Sequence, residues 1–201
     1  MARRSDNTRE ELKGMAVGAG LDLLEEAGIG SLSARGIATR IGYTVGTLYN
    51  VFDDFEDIVL HINAATLADM HTKLAPLAES KKKPHQRILD LAYGYGDYAI
   101  ANPARWNLLH GSSRTKKIPE WFRKEIGATF AMVESPLLQL PEVKPSTARD
   151  AARVLWAGLH GICALSISQK LERVEAAPMR TLIDHFVTHY LKGLKSATAR
   201  W

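Results

Sequence analysis

The stretch Leu32 to Phe52, LSARGIATRIGYTVGTLYNVF, constrains the fold of this chain more than any other part of it. It parses into two short helices around a tight turn. The first helix starts behind Ser33, whose hydroxyl can cap free backbone N–H groups, and Leu32, Ile37, Ala38 and Ile41 give it a small buried face. Gly42, tolerant of positive φ, ends that helix, and Tyr43-Thr44 completes the turn. Thr44 is the N-cap expected for a second helix, Val45 to Val51, in which Leu48 and Phe52 lie four apart and point inward. Val45, Gly46, Thr47, Tyr49 and Asn50 are then left with no core to serve. A short helix with small residues at an open tip and a Tyr-Asn pair behind them suits entry into a major groove.

This run resembles the helix-turn-helix of the TetR family of bacterial transcriptional regulators. The family pattern is Leu-Ser/Thr, three residues, Ile-Ala, a Gly at the turn, then Gly-Thr-Leu-Tyr and an aromatic. Here those places hold Leu32, Ser33, Ile37, Ala38, Gly42, Gly46, Thr47, Leu48, Tyr49 and Phe52, ten positions within 21 residues. The resemblance implies that Tyr49 and Asn50 contact phosphates or base edges. It implies too that Thr44, Val45, Gly46 and Thr47 form the tip, and that Ser33 and Arg35 anchor the preceding helix on DNA. One departure stands out. Many relatives carry a phosphate-binding Lys where this chain has Phe55, inside the acidic run Asp53-Asp54-Phe55-Glu56-Asp57. Those acids suit a helix N-terminus but cannot bind phosphate.

At 201 residues the chain can bury a sizeable core, either as one domain or as a small head on a larger body. It has no apolar run near the ~18 residues of a membrane helix, and its start lacks the apolar segment of a signal peptide, so a cytoplasmic protein is expected. Cys163 is the single cysteine and lies in an apolar run, which reads as a buried structural thiol. The net charge of +4 is unevenly placed: residues 1–62 hold six Lys/Arg against ten Asp/Glu, while the remainder holds twenty against twelve. The head is therefore not basic as a block. DNA contact has to rest on placement, on Arg3, Arg4, Arg9, Lys13, Arg35 and Arg40.

In order, residues 1–7 read as a disordered basic arm, and Thr8-x-x-Glu11 is a capping box that opens a helix to about Ala27. This helix is the third wall of a head spanning 8–53. From Asp54 a helix runs to about Ala75, with Pro76 behind it and a solvated Lys81-Lys82-Lys83 loop beyond. Further helices are expected over 84–101, over NPARWNLLHG, from Pro119 to a kink or end at Pro136, from a Ser146 cap to about Gln169, and from Pro178 onward. The loop Ser112 to Ile118 and the tail SATARW complete the chain. No strand-like alternation, repeat or Gly-rich phosphate loop appears. The expected fold is all-α with about nine helices: a three-helix head joined to a larger body, 54–201, for ligand binding and dimerisation.

The body motifs NPARW and LWAGLHG are similar to a TetR subgroup with a Trp/Leu-x-x-x-His-Gly signature in its C-terminal domain. That resemblance implies a homodimer through the last two long helices, with Leu155, Leu159, Ile162, Phe186 and Tyr190 as interface candidates. It also implies a pocket in the middle helices, for which Met70, Tyr95, Trp106, Trp121, Phe122 and Trp156 suit a small apolar or aromatic ligand. Gly158 and Gly161 in a helix interior point to close approach by another helix.

Catalytic and metal readings fare worse. His185 and His189 have i, i+4 spacing but no third ligand, His160 reads as an interior histidine, and Ser166 and Ser168 lack a nucleophile elbow. No metal, cofactor or enzymatic activity is expected. The sequence reads as a dimeric, ligand-responsive repressor of a near-palindromic double-stranded DNA operator. The alternative is a helical small-molecule binding protein whose head no longer binds DNA.

Overall fold

The computed structural model describes residues 7–111 and 117–198, with side chains to Lys195. Arg3 and Arg4 of the expected arm, residues 112–116 of the expected loop and residues 199–201 of the tail lie outside the described residues. Among those described there are nine α-helices, two short 3-10 turns and no strand. The helices are α1 (Arg9–Ala27), α2 (Ala34–Ile41), α3 (Val45–Tyr49), α4 (Phe55–Ala78), α5 (Pro84–Ala101), α6 (Pro103–Gly111), α7 (Glu120–Leu137), α8 (Pro145–Ile167) and α9 (Met179–Thr198). None is long and apolar enough to cross a membrane among the described residues.

Local chemistry sets most of the boundaries. At α1 the Thr8 hydroxyl accepts from the Glu11 N–H (3.2 Å) and the Glu11 carboxylate accepts from the Thr8 N–H (2.7 Å), a reciprocal capping box. The Thr8 backbone bond holds the Glu11 carboxyl below the usual carboxylate range. Ser33 caps α2 through the Gly36 N–H at 3.1 Å. Gly42 ends α2 in the left-handed region, φ 75°, and the next N–H, from Tyr43, returns to the Ala38 carbonyl at 2.9 Å. At α4 the Asp54 carboxylate accepts from the Asp57 N–H (2.8 Å) and Asp57 from the Asp53 N–H (3.2 Å). The acidic run is a capping device.

Some boundaries differ from expectation for simple reasons. α4 continues to Ala78 with Pro76 in its last turn, where few turns follow to be disrupted, and the Glu79 N–H still bonds the Ala75 carbonyl. α8 is capped by Lys144, not Ser146. Pro145 takes the first helical position, where no N–H is needed, and the Lys144 carbonyl accepts from Thr147 and Ala148. α3 stops at Tyr49; Val51 and Phe52 follow as a turn whose N–H groups bond the Leu48 carbonyl.

The chain divides into two units. One comprises residues up to Ala68 together with Ala104–Phe122; the other comprises Asp69–Pro103 and the residues from Arg123 onward. The division falls inside α4 instead of at Asp54, for a physical reason. Ile58 and Ile62 of α4 and Leu108 of α6 are buried in the same cluster as Leu12, Leu24, Ile37, Leu48 and Phe52. In this unit the His61 imidazole stacks on Trp121 (4.6 Å between centroids) and meets the edge of Phe52 (5.3 Å). Burial there pushes its pKa down, against a weaker upward pull from Asp57 at 3.9 Å.

The second unit packs α5, α8 and α9 around Leu91, Ala99, Leu155, Cys163, Ile183 and Val187. Gly158 of α8 lies under the Phe186 ring of α9, the close approach expected of a glycine in a helix interior; no side chain covers Gly161. Burial pushes the Cys163 thiol up to about 12, so it is a neutral packing group.

Two outcomes follow. Gly158→Ala places a Cβ inside the Phe186 ring, so overpacking of about 1–3 kcal/mol exceeds the ~1 kcal/mol gain in helix propensity. Urea titration should show a net loss that Phe186→Leu relieves. For His61, a folded-state pKa below the ordinary ~6.5 means the unfolded chain takes the proton first. Its contribution to stability is present above about pH 6.5 and is lost as pH falls through the lower folded value. His160, also pushed down by burial, acts in the same sense. The wild-type unfolding midpoint should therefore fall on acidification below that pH, and His61→Phe should show a shallower fall; an identical slope would contradict the assignment.

Candidate nucleic-acid interface

α3 is held from one side only. Leu48 is fully buried and Phe52 nearly so, both against the α1–α2 core. The Thr44 hydroxyl accepts from the Thr47 N–H at 3.2 Å and lies 2.9 Å from the Thr47 hydroxyl, which closes the first turn. On the opposite side Thr44, Gly46, Tyr49 and Asn50 are exposed, with Tyr49 at 44 %, while Val45 and Thr47 are half-buried. A Cβ added to Gly46 would meet only the Thr44 hydroxyl, at an ordinary 3.7 Å. Nothing in its own subunit calls for a glycine there. Ser33, engaged in its cap, and Arg35, exposed, stand on the preceding helix.

The electrostatics depart from a basic patch. Arg40, one of the cations expected to face DNA, is withdrawn into a forked ion pair with Glu26 and lies 3.8 Å from Asp22. The Glu26 bond holds the guanidinium's pKa up and the Glu26 carboxyl's down. Lys13 lies 3.8 Å from Glu10, and Arg105 of α6 is bound to Glu25. Arg9 and Arg35 have no acidic partner among the described residues. One hydrogen bond escaped sequence reasoning altogether: the Asn7 amide donates to the Tyr43 hydroxyl at 3.0 Å, across 36 residues. No periodicity could have signalled it.

The six residues expected as pocket walls are divided between the two units. In the first unit Trp106 is buried against His110 (4.4 Å), and Trp121 lies between His61 and the edge of Phe122. In the second, the Trp156 indole N–H donates to the Tyr95 hydroxyl at 3.0 Å, with Phe130 and His160 on its flanks, and Met70 is buried. Burial and a nearby Cys163 push the Tyr95 phenol up. A recess of about 240 Å³ between α5 and α9 is lined by His85, Leu89, Val187, Leu191, Lys192 and Lys195, and by none of the six.

The interface candidates differ in burial. Leu155 and Leu159 are buried within their own unit, 1 % and 8 % exposed. Ile162, Phe186 and Tyr190 are half-buried, and the exposed apolar side chains of α8 are Val154, Trp156 and Leu165. Periodicity gives α8 an apolar face without saying which part of it lies inside. His189 Nδ1 lies 2.7 Å from the His185 carbonyl, and no group of three metal-ligating side chains occurs among the described residues.

Thr44→Ala removes the cap of a five-residue helix and should lower stability by about 1 kcal/mol, read as a fall in urea midpoint that Thr44→Ser does not reproduce.

Comparison with known proteins accords with this geometry. Residues 17–62 match the family model described as bacterial regulatory proteins, tetR family, and residues 88–190 match the Tetracyclin repressor-like C-terminal domain. An uncharacterized HTH-type transcriptional regulator of Mycobacterium tuberculosis, Rv0681, is 24% identical over 175 residues, covering 87% of this chain and 77% of that protein. Among solved structures, a protein of unknown function from Rhodococcus sp. RHA1 superimposes with a TM-score of 0.75 at 18% identity, covering 96% of this chain and 98% of its own. BioQ, solved with its natural double-stranded DNA operator, gives a TM-score of 0.64 at 17% identity, covering 88% and 98%. With family models spanning both its N-terminal motif and more than half of its length, the chain belongs to the TetR family of DNA-binding, non-enzymatic transcriptional regulators.

Proposed function

We propose that this regulator binds a near-palindromic operator as a homodimer and represses transcription until a small apolar or aromatic ligand releases it. Residues 8–53 read the DNA, and the chain from 54 onward binds the ligand and the second subunit. The observation that carries this reading is the exposed edge Thr44–Asn50 on a helix anchored only through Leu48 and Phe52. Thr44, Gly46 and Thr47 form the tip; Tyr49, Asn50, Ser33 and Arg35 supply polar contacts to phosphates and base edges. The BioQ complex shows a protein of this fold on a DNA operator.

In the dimer the two α3 helices enter successive major grooves, about 34–36 Å apart. The apolar surface of Val154, Trp156 and Leu165 on α8 supports a second copy docking on the last two long helices. Because α4 runs without a break from Phe55 to Ala78, a ligand that displaces its later turns moves the start of the same helix. Release follows only if the ligand favours the state with the wrong head spacing.

A second reading is favoured by one observation: Lys13 and Arg40, two of the cations around α1–α3, are already ion-paired. On that reading the head has lost DNA binding and the chain is a small-molecule binding protein. Gel shifts on DNA flanking its own gene, over a range of salt, separate the two. The regulator reading expects Tyr49→Ala to leave stability unchanged and to weaken binding about tenfold or more. It also expects Gly46→Ala to stabilise the fold by up to ~1 kcal/mol while weakening duplex binding. Equal binding by both variants, or no shift at low salt, favours the second reading.

A further inference from the structure

The recess between α5 and α9 lies wholly within the second unit. Its floor is apolar: Val187 and Leu191 are buried, and Leu89 is half-buried beside them. Its rim is polar, with His85 and Gln86 on α5 and Thr188, Lys192 and Lys195 on α9. From His185 to Thr198 the sequence has those two lysines and no acidic residue. The volume of about 240 Å³ accommodates about eight non-hydrogen atoms at ~30 Å³ each. That is below the ~300–1,000 Å³ of pockets that hold drug-sized molecules, so the recess suits a small occupant.

Two features give the rim a positive character. Lys192 is exposed and has no acidic partner among the described residues. α5 also begins without a side-chain cap: Lys83 supplies none, and Pro84 takes the first helical position. The His85 and Gln86 N–H groups therefore have no acceptor in their own helix, and the positive end of its dipole adds to them. Two carboxylates lie near the lining residues, and both are engaged. Asp90 accepts from Lys82 (2.6 Å) and from the Gln86 amide (3.0 Å). Glu142, its side chain only 7 % exposed, lies 3.5 Å from His85 Nε2 and 3.8 Å from Lys195 Nζ. Lys195 is thus shared with Glu142, and Lys192 is the cation left for an incoming anion.

We propose that this recess binds a small alkyl carboxylate of about six carbons, a size set by the volume above. Its chain lies on Leu89, Val187 and Leu191, where burial removes apolar surface from water. Its carboxylate is held by Lys192 and the free N–H groups at the start of α5, charge-assisted bonds on one side of an otherwise apolar site. Glu142 sets the head group: with one of the two lysines already shared, a single negative charge matches the rim better than a phosphate dianion does. The site stands apart from the aromatic ligand and the DNA-binding edge proposed above and depends on neither.

Isothermal titration of the full chain with sodium hexanoate tests this, with 1-hexanol, hexylamine and acetate as controls at constant ionic strength. Hexanoate should bind with a Kd of about 1 mM or tighter, the affinity open to a ligand of about eight non-hydrogen atoms. Each control, lacking the charge, carrying the opposite one or lacking the chain, should bind at least about tenfold more weakly. Lys192→Gln, at an exposed position, should weaken hexanoate about tenfold with an unchanged melting temperature. Glu142→Gln should act in the opposite sense and tighten hexanoate about twofold or more, since it removes a nearby like charge and frees Lys195. Thr188→Phe, which fills the recess, should abolish binding. No heat with hexanoate, or hexanol binding as tightly, overturns the proposal. Wild-type affinity in both Lys192→Gln and Thr188→Phe places the ligand elsewhere in the chain and overturns it too, while the regulator reading stands.

Discussion

The insertion of Leu48 and Phe52 into the α1–α2 core is the packing on which the head depends. A helix of five residues has no stability of its own, because nucleation costs more than one turn of hydrogen bonds returns. α3 exists because Leu48 is fully buried among residues such as Leu24, Ile37 and Ile58, each such burial contributing about 1.5–3 kcal/mol. The Thr44 cap and the turn at Asn50–Phe52 then fix both of its ends. With one side committed to the core, the other side is presented by geometry alone. The exposed edge is a consequence of the packing, not an addition to it.

Charge in the head is organised for folding first. Glu11, Asp54 and Asp57 accept from backbone N–H groups at helix starts, and Glu26 and Glu25 hold Arg40 and Arg105. These exposed pairs contribute little stability individually, but they orient side chains that would otherwise be available to a polyanion. On the proposed reading, a head built this way would meet DNA through shape and a polar edge instead of through a basic field. That distinguishes it physically from a nucleic-acid binder recognised by composition.

Features that depend on neighbours three or four residues apart were legible in the sequence. Thr8, Ser33, Gly42 and Thr44 do what their spacing implies, since a cap or a left-handed turn is settled locally. Ion pairs and hydrogen bonds between distant positions were not: Arg40–Glu26, Arg105–Glu25 and Asn7–Tyr43 join residues 14, 80 and 36 apart. The same limit explains why 104–122 joins the first unit through Leu108, and why the burial of Leu155 and Leu159 in their own unit could not be read from spacing. Periodicity reports that a helix has an apolar face. It does not report what lies against it.

Hydroxyl-radical footprinting of the full chain on DNA flanking its own gene tests the central claim most directly. Docking of two α3 edges predicts protected patches on one face of the duplex, offset by one helical turn of about 34–36 Å and abolished together when Leu48 is replaced by Ala. Protection without helical phasing, or none at low salt, would contradict it.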